Sequence, residues 1–256
     1  MKPFKFLTKN FIPRIVSRRW WNGNGIRMQG QLHWMTQPVG VIYYLETKEE
    51  NGRRYYLLPS GKYVPSVTTM LGYFKAQSIQ EWRKRVGEQE ADRIRNRAST
   101  RGTKFHNLLQ KYLENTPLPT LLNESIMPNM KQAFYDMEET LDRIDNIHYI
   151  ESSLYSEKMR LAGRTDVIAE FDGVLSVIDF KTSSKVKTES MIEDYFLQAT
   201  CYALMFEERT DRPIDQIVII ISTDGLNEPQ VFIKSKMDYI DKLFEKILTF
   251  HKEIKI

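Results

Sequence analysis

An α/β protein is expected, with a central mixed β-sheet flanked by helices and a helical region N-terminal to it. Three observations carry this expectation. Residues 161–185, LAGRTDVIAEFDGVLSVIDFKTSSK, contain two strand-like runs separated by Asp172-Gly173, a strong two-residue hairpin signal. A second apolar run, 217–222, reads as another buried strand. Between them, residues 188–208 recur as a long helix, with Tyr195, Ala199, Tyr202 and Phe206 on one face. A strand order interrupted by a helix implies a sheet with helices packed on it.

In chain order, residues 39–64 read as two strands around a turn at Glu50-Asn51-Gly52. Ser66 is placed to cap a helix over 67–74 and Ser78 a second one, whose stripe is Ile79, Trp82, Val86 and Ile94. A third helix is expected over 104–114, with Phe105, Leu108, Leu109 and Tyr112 inward. Residues 115–128 read as a proline-containing loop and 130–146 as an acid-rich helix. Strands are expected at 150–155 and 231–233, and a closing helix at 237–252 with Ile240, Phe244, Ile247 and Leu248 inward.

The hairpin places chemistry. If Asp172 and Gly173 form the loop, Phe171 pairs with Val174, Asp166 lies across from Asp179, and Arg164 lies across from Lys181. Directly opposed side chains share a face, with Cβ atoms about 5 Å apart. Lys181, two residues beyond Asp179, points to the same face. Asp179 also stands in the apolar run 174–180, where an ionised carboxylate needs a cation or hydrogen bonds to offset its burial. Two facing carboxylates with a lysine suit hard divalent cations, Mg2+ or Mn2+, and hence phosphodiester chemistry. Whether one metal or two act is open; a second would want another acid, and Glu151, on the neighbouring strand, is the candidate. Arg164 would hold a phosphate beside Lys181, or else pair with Glu170 or Glu157. His106 stands beside the apolar stripe of its helix, where a core-edge role and a ligand role are both open.

Composition narrows the class. The 256 residues are 41% hydrophobic and 27% charged, with a formal net charge of +4. Basic residues cluster early: residues 1–45 hold seven Lys or Arg and no acid, and 75–104 hold nine against four acids. That asymmetry suits a polyanion, with Arg83, Arg93 and Arg101 as candidate substrate contacts. Arg18, Arg19, Trp20 and Trp21 read either as a backbone-gripping, base-stacking segment or as an anchor to the main body. The single Cys201 excludes an intramolecular disulfide and any cysteine-ligated metal cluster. No run reaches the roughly 18 apolar residues of a membrane span, and no G-x-x-x-x-G-K-[ST] phosphate loop occurs.

Four segments in one order carry a resemblance: PSVTTML at 65–71, RGTKFH at 101–106, GRTDVIAEFDGVLSVIDFKTS at 163–183, and Gln198-Ala-Thr-Cys-Tyr202. Together they resemble the PD-(D/E)xK nuclease superfamily in its RecB-like exonuclease branch, which includes mitochondrial and viral exonucleases. The resemblance implies a restriction-endonuclease-like core. It implies His106, Asp166, Asp179 and the backbone carbonyl of Phe180 as metal ligands, Asp166, Asp179 and Lys181 as the catalytic set, and Gln198 and Tyr202 as residues that orient the site or contact DNA. It departs from the family pattern where Thr165 precedes Asp166 in place of proline. Residues 1–64 are then a basic extension with a β-hairpin, and 65–256 a nuclease domain made of a helical region, 66–146, and a catalytic core, 147–256. The expected activity is a Mg2+- or Mn2+-dependent exonuclease on single-stranded DNA, with the 5′ preference that the resemblance implies. A structure-selective or nicking endonuclease and a non-catalytic nucleic-acid binder are the alternatives. A monomer acting beside replication or recombination proteins is expected, without membrane contact. The expected compartment is intracellular, either the cytoplasm of a bacterium or virus-infected cell or the mitochondrial matrix.

Overall fold

The structure, a computed structural model, describes residues 44–254. The basic and Trp-containing stretch around Arg18 to Trp21 therefore lies outside the described residues. The described chain begins in a small antiparallel sheet of β1 (Thr47–Glu50), β2 (Arg53–Leu57) and β3 (Tyr63–Pro65), where the sequence suggested two strands. Asn51 and Gly52 both take positive φ, 52° and 70°, as a two-residue hairpin requires. Tyr56, Leu58 and Val64 of this sheet bury themselves against Tyr155 and Ala162 of the main sheet.

The first part of the helical region, residues 66–113, is built from two long helices rather than three shorter ones. Ser66 caps α1 (Val67–Val86) by accepting the Thr69 N–H at 2.9 Å. Ser78 does not begin a new helix. Its hydroxyl donates to the Lys75 carbonyl at 3.0 Å, the back-bond of a serine inside a helix. The break falls at Gly87, whose φ of 88° favours glycine, and α2 (Glu88–Leu113) then runs unbroken through residues 99–103. Arg83 reaches across the break to Glu88 and Asp92. Only the first turns of α1 reach the core, through Val67, Met70 and Leu71. The expected stripe is consequently not buried: Ile79 is 46% and Ile94 41% exposed. A short α3 (Leu118–Leu121) interrupts the expected loop, and α4 (Pro128–Leu141) ends before Ile144, where the expected helix gives way to strand.

The main sheet runs β4-β5-β6-β7-β8: β4 (Ile144–Ser156), β5 (Leu161–Phe171), β6 (Val174–Ser183), β7 (Gln216–Thr223) and β8 (Gln230–Ser235). Pairing is antiparallel except between β6 and β7, which are parallel and joined through α5 (Glu193–Thr210). One face packs on α1, α5 and the closing α6 (Ile240–Ile254), the other on α2 and α4. The stripe of α6 is Leu243, Ile247 and Phe250, leaving Phe244 and Leu248 exposed. The helix starts at Ile240, after a short 3-10 turn over 236–238.

The β5–β6 hairpin has the register its sequence implies, from Phe171↔Val174 to Val167↔Ile178. Asp172 and Gly173 take φ of 54° and 79°, the primed turn that matches strand twist. Arg143 clamps the turn by donating to both Asp172 carboxylate oxygens at 3.0 and 2.6 Å. A Cβ at Gly173 would touch nothing within 4 Å, so Gly173→Ala tests conformation alone. It is expected to lower unfolding free energy by about 1 kcal/mol, read as a lower Tm with unchanged circular dichroism.

Candidate active site

The pairing of β5 with β6 stops at Val167↔Ile178, one step short of Asp166 and Asp179. Beyond it the strands separate. The Phe180 N–H, which would otherwise meet a backbone carbonyl of β5, donates at 2.8 Å to Oδ2 of Asp166. The carbonyl of Phe180 leaves the strand toward the same edge, since one residue's N–H and C=O point to the same neighbour. The Phe180 ring enters the core on the α2 side, and Asp179 and Lys181 project from the opposite face.

Around this split the residues form two groups. In the first, His106 on α2 places Nδ1 3.4 Å from Asp166 Oδ2 and 3.7 Å from Glu151 Oε1. Donor atoms of His106, Glu151 and Asp166 all lie within 4.8 Å of one another. They border a void of about 10 Å³ that Phe180 also lines, about the size of one water. In the second, Lys181 Nζ lies 2.7 Å from Asp179 Oδ1 and 2.6 Å from Oδ2. The ammonium also sits 5.1 Å from the centre of the Tyr195 ring.

Glu151 joins the first group through its backbone. Its φ is 46°, unusual for a glutamate, and it falls between the pairs Ile150↔Val167 and Ser152↔Thr165. Arg164 holds it from outside, with Nε 2.6 Å from Oε2 and donating to the Glu151 carbonyl at 3.2 Å. This corrects the expected place of Arg164. The β5–β6 ladder ends at Val167↔Ile178, so Arg164 is not paired with Lys181; it pairs with Ser153 on β4, and its acid partner is Glu151 rather than Glu170 or Glu157.

Burial and charge set the protonation of the site. Burial would lower the pKa of His106, but hydrogen bonds to Asp166 and Glu151 outweigh it and push the imidazole up to about 10. Asp166 is opposed by burial yet held below its usual range by His106, Lys181 and the Phe180 N–H. Asp179, 1% exposed, is raised to about 6 by burial, against the pull of Lys181. Lys181 stays above its usual value because Asp179 and Asp166 overcome its desolvation. It is an ammonium at neutral pH and not a proton acceptor.

Gln198 and Tyr202 lie beside these groups on α5. The Gln198 amide donates to the Tyr202 oxygen at 3.3 Å. Tyr202 is buried, which raises its phenol well above the usual range and fits a positioning role better than contact with a polymer. Its ring lies directly on Gly163: a Cβ there would come 2.6 Å from Cε1. Gly163 is a site residue that the sequence reading passed over, although a glycine inside a strand signals close approach. Arg83, Arg93 and Arg101 are bound elsewhere, Arg93 by Glu90 and Arg101 by Asp224 at 2.7 Å, and none has an ion pair with the residues at the split.

The donor set fits a hard divalent cation: two carboxylates, an imidazole and a nearby backbone carbonyl around a void of the right size. Asp179 is held by Lys181 at the edge of that set rather than within it.

The profile of the PD-(D/E)XK nuclease superfamily matches residues 72–255. Mitochondrial genome maintenance exonuclease 1 of Homo sapiens is 28% identical over 134 residues, which cover 48% of this chain and 38% of that protein. The Mus musculus protein of the same name is matched to the same extent. The matched stretch thus spans well under half the length of these relatives.

Gly163→Ala is expected to displace the Tyr202 ring and destabilise the fold by about 1–3 kcal/mol through overpacking. In a Tyr202→Ala background the same change should be much milder. Equal losses of Tm in both backgrounds would mean that the two residues do not meet.

Proposed function

This chain belongs to the PD-(D/E)XK nuclease superfamily, and from that premise we propose that it is a Mg2+- or Mn2+-dependent exonuclease acting on single-stranded DNA from a free end. The observation that carries the reading is the gathering of His106, Glu151 and Asp166 beside the Asp179–Lys181 pair at the split of β5 and β6. The relatives' names, which speak of exonuclease action and genome maintenance, support the finer assignment.

In this reading His106, Glu151, Asp166 and the Phe180 carbonyl hold the cation, and Asp179 completes its surroundings. When bound, the cation would supply charge for the scissile phosphate and lower the pKa of a water. His106 must release its proton before it can act as a ligand, so cation binding and proton release are linked. Arg164 keeps Glu151 turned into the site. Lys181, fixed by Asp179 and Tyr195, holds positive charge where the phosphate oxygens gain negative charge. Gln198 and Tyr202 set the packing behind the pair.

We assign residues 65–256 to the nuclease domain, with 66–146 as its helical region and 147–256 as its catalytic core, and 1–64 as an extension. Among the described residues no helix is long and apolar enough to cross a membrane. We further propose that the protein acts as a monomer inside the cell, alongside replication or recombination proteins.

Asp179→Asn changes charge at nearly constant volume and keeps an oxygen that Lys181 can bind. It is expected to abolish Mn2+-supported cleavage while circular dichroism stays unchanged. Full cleavage by the purified variant would remove Asp179 from the catalytic set.

Free ends give the second test. End-labelled linear single-stranded DNA should shorten progressively with Mg2+, while a covalently closed single-stranded circle should persist. Rapid cutting of the circle would replace the exonuclease by an endonuclease. Tight binding of both substrates without cleavage would replace it by a binding module.

A further inference from the structure

Helix α2 has a second, basic face. Arg97, Arg101 and Lys104 follow one another at i, i+4 and i+7, a single stripe along the helix. Lys104 and His106 project about 200° apart, so the stripe faces away from the candidate active site. It lines a groove of about 730 Å³ bounded by α4 and by the turn between β7 and β8. Ligand pockets run from about 300 to 1,000 Å³, which leaves room for a nucleotide and its neighbouring phosphate.

The lining is suited to that occupant. Among the described residues neither Arg97 nor Lys104 has an ion-pair partner, whereas Arg101 is held at the floor by Asp224. Asp136 is the other acid, and it accepts from Gln132 at 2.7 Å. The groove therefore keeps two uncommitted cations. The start of α4 opens into it at Asn129 and Met130, with no acid in its first turn and no side-chain cap, so the partial positive charge of the helix end adds to them. Met127, 54% exposed, and Leu226, 37% exposed, offer apolar surface for a base face, and Asn96 and Asn129 offer amides for base edges.

The groove is also tied to the catalytic strand. The Asp224 N–H donates to the Ser183 carbonyl at 2.9 Å, and Ser183 stands two residues beyond Lys181. We propose that this groove is a second nucleic-acid subsite, which grips one nucleotide and its phosphates away from the scissile bond. The proposal rests on the nuclease reading above and assigns Arg97 and Lys104 to affinity rather than to hydrolysis.

The test uses the full chain. Binding is measured by anisotropy of a fluorescein-labelled oligothymidylate across a salt series, in the Asp179→Asn background. Arg97→Gln with Lys104→Gln is expected to weaken binding about tenfold and to flatten the salt slope by about 1.4, the loss of two phosphate contacts on a single strand. Lys242→Gln with Lys252→Gln, an equal charge change on α6, should leave both nearly unchanged. With Asp179 intact, the Arg97/Lys104 variant should hydrolyse the small diester bis(p-nitrophenyl) phosphate in Mn2+ at the unsubstituted rate. Unchanged oligonucleotide affinity in the groove variant, equal weakening in the α6 control, or loss of small-diester hydrolysis in the groove variant would each overturn the subsite. Failure of the unsubstituted chain to hydrolyse DNA or the diester would count against the nuclease reading instead, and the binding arm would still decide whether the groove takes nucleic acid.

Discussion

The site depends on one exchanged hydrogen bond. Past Val167↔Ile178 the β5–β6 ladder ends, and the Phe180 N–H goes to the Asp166 carboxylate instead of to a carbonyl. A buried backbone N–H left without a partner is expensive, so the strands can part here only because a side-chain oxygen takes over. The same contact aims Asp166 into the gap and lowers its pKa. β6 continues straight because its other edge stays paired with β7 through Ser183↔Thr223. A continuous sheet on one side and an open edge on the other make a rigid floor with a polar mouth.

That mouth collects charges that would each be unfavourable alone. Lys181 and Asp179 are tolerated as a pair, and His106 as an imidazolium between two carboxylates. Removing one member leaves its neighbour buried and uncompensated, so the groups specify one another. The protonated His106 stands where a cation would complete the same charge pattern. The rest of the architecture keeps these groups still: α2 brings His106 from one face of the sheet, α5 brings Gln198 and Tyr202 from the other, and Gly163 lets the Tyr202 ring approach the strand.

How far this was legible depends on the range of the forces involved. The hairpin could be read because Asp172-Gly173 and the alternation around it are local, and they put Asp166, Asp179 and Lys181 in order without tertiary knowledge. Glu151 is visible only as an acid on a nearby strand; nothing local announces its positive φ, which falls where β4 and β5 otherwise keep one register from Ile150↔Val167 to Ser152↔Thr165. The helix break was sought at Ser78, since serine caps helices, yet Gly87 has the stronger effect because only glycine takes φ near 90° easily. The place of Arg164 is not legible because extending the hairpin register assumes that the ladder continues, and here it stops at Val167↔Ile178.

The two faces of α2 raise a last point. A helix that is polar on two opposite sides needs a narrow apolar stripe between them to stay docked, and α2 has one in Phe105, Leu108, Leu109, Tyr112 and Leu113. The stripe is confined to the C-terminal half, beside His106, while the N-terminal half buries only Ala91. The helix is thus anchored at the catalytic end and exposed over the stretch that carries Arg93, Arg95 and Arg97. Exposure of Ile79 and Ile94 on the same outer helices fits that division, because burying them would need a further layer over the surface that carries the charge.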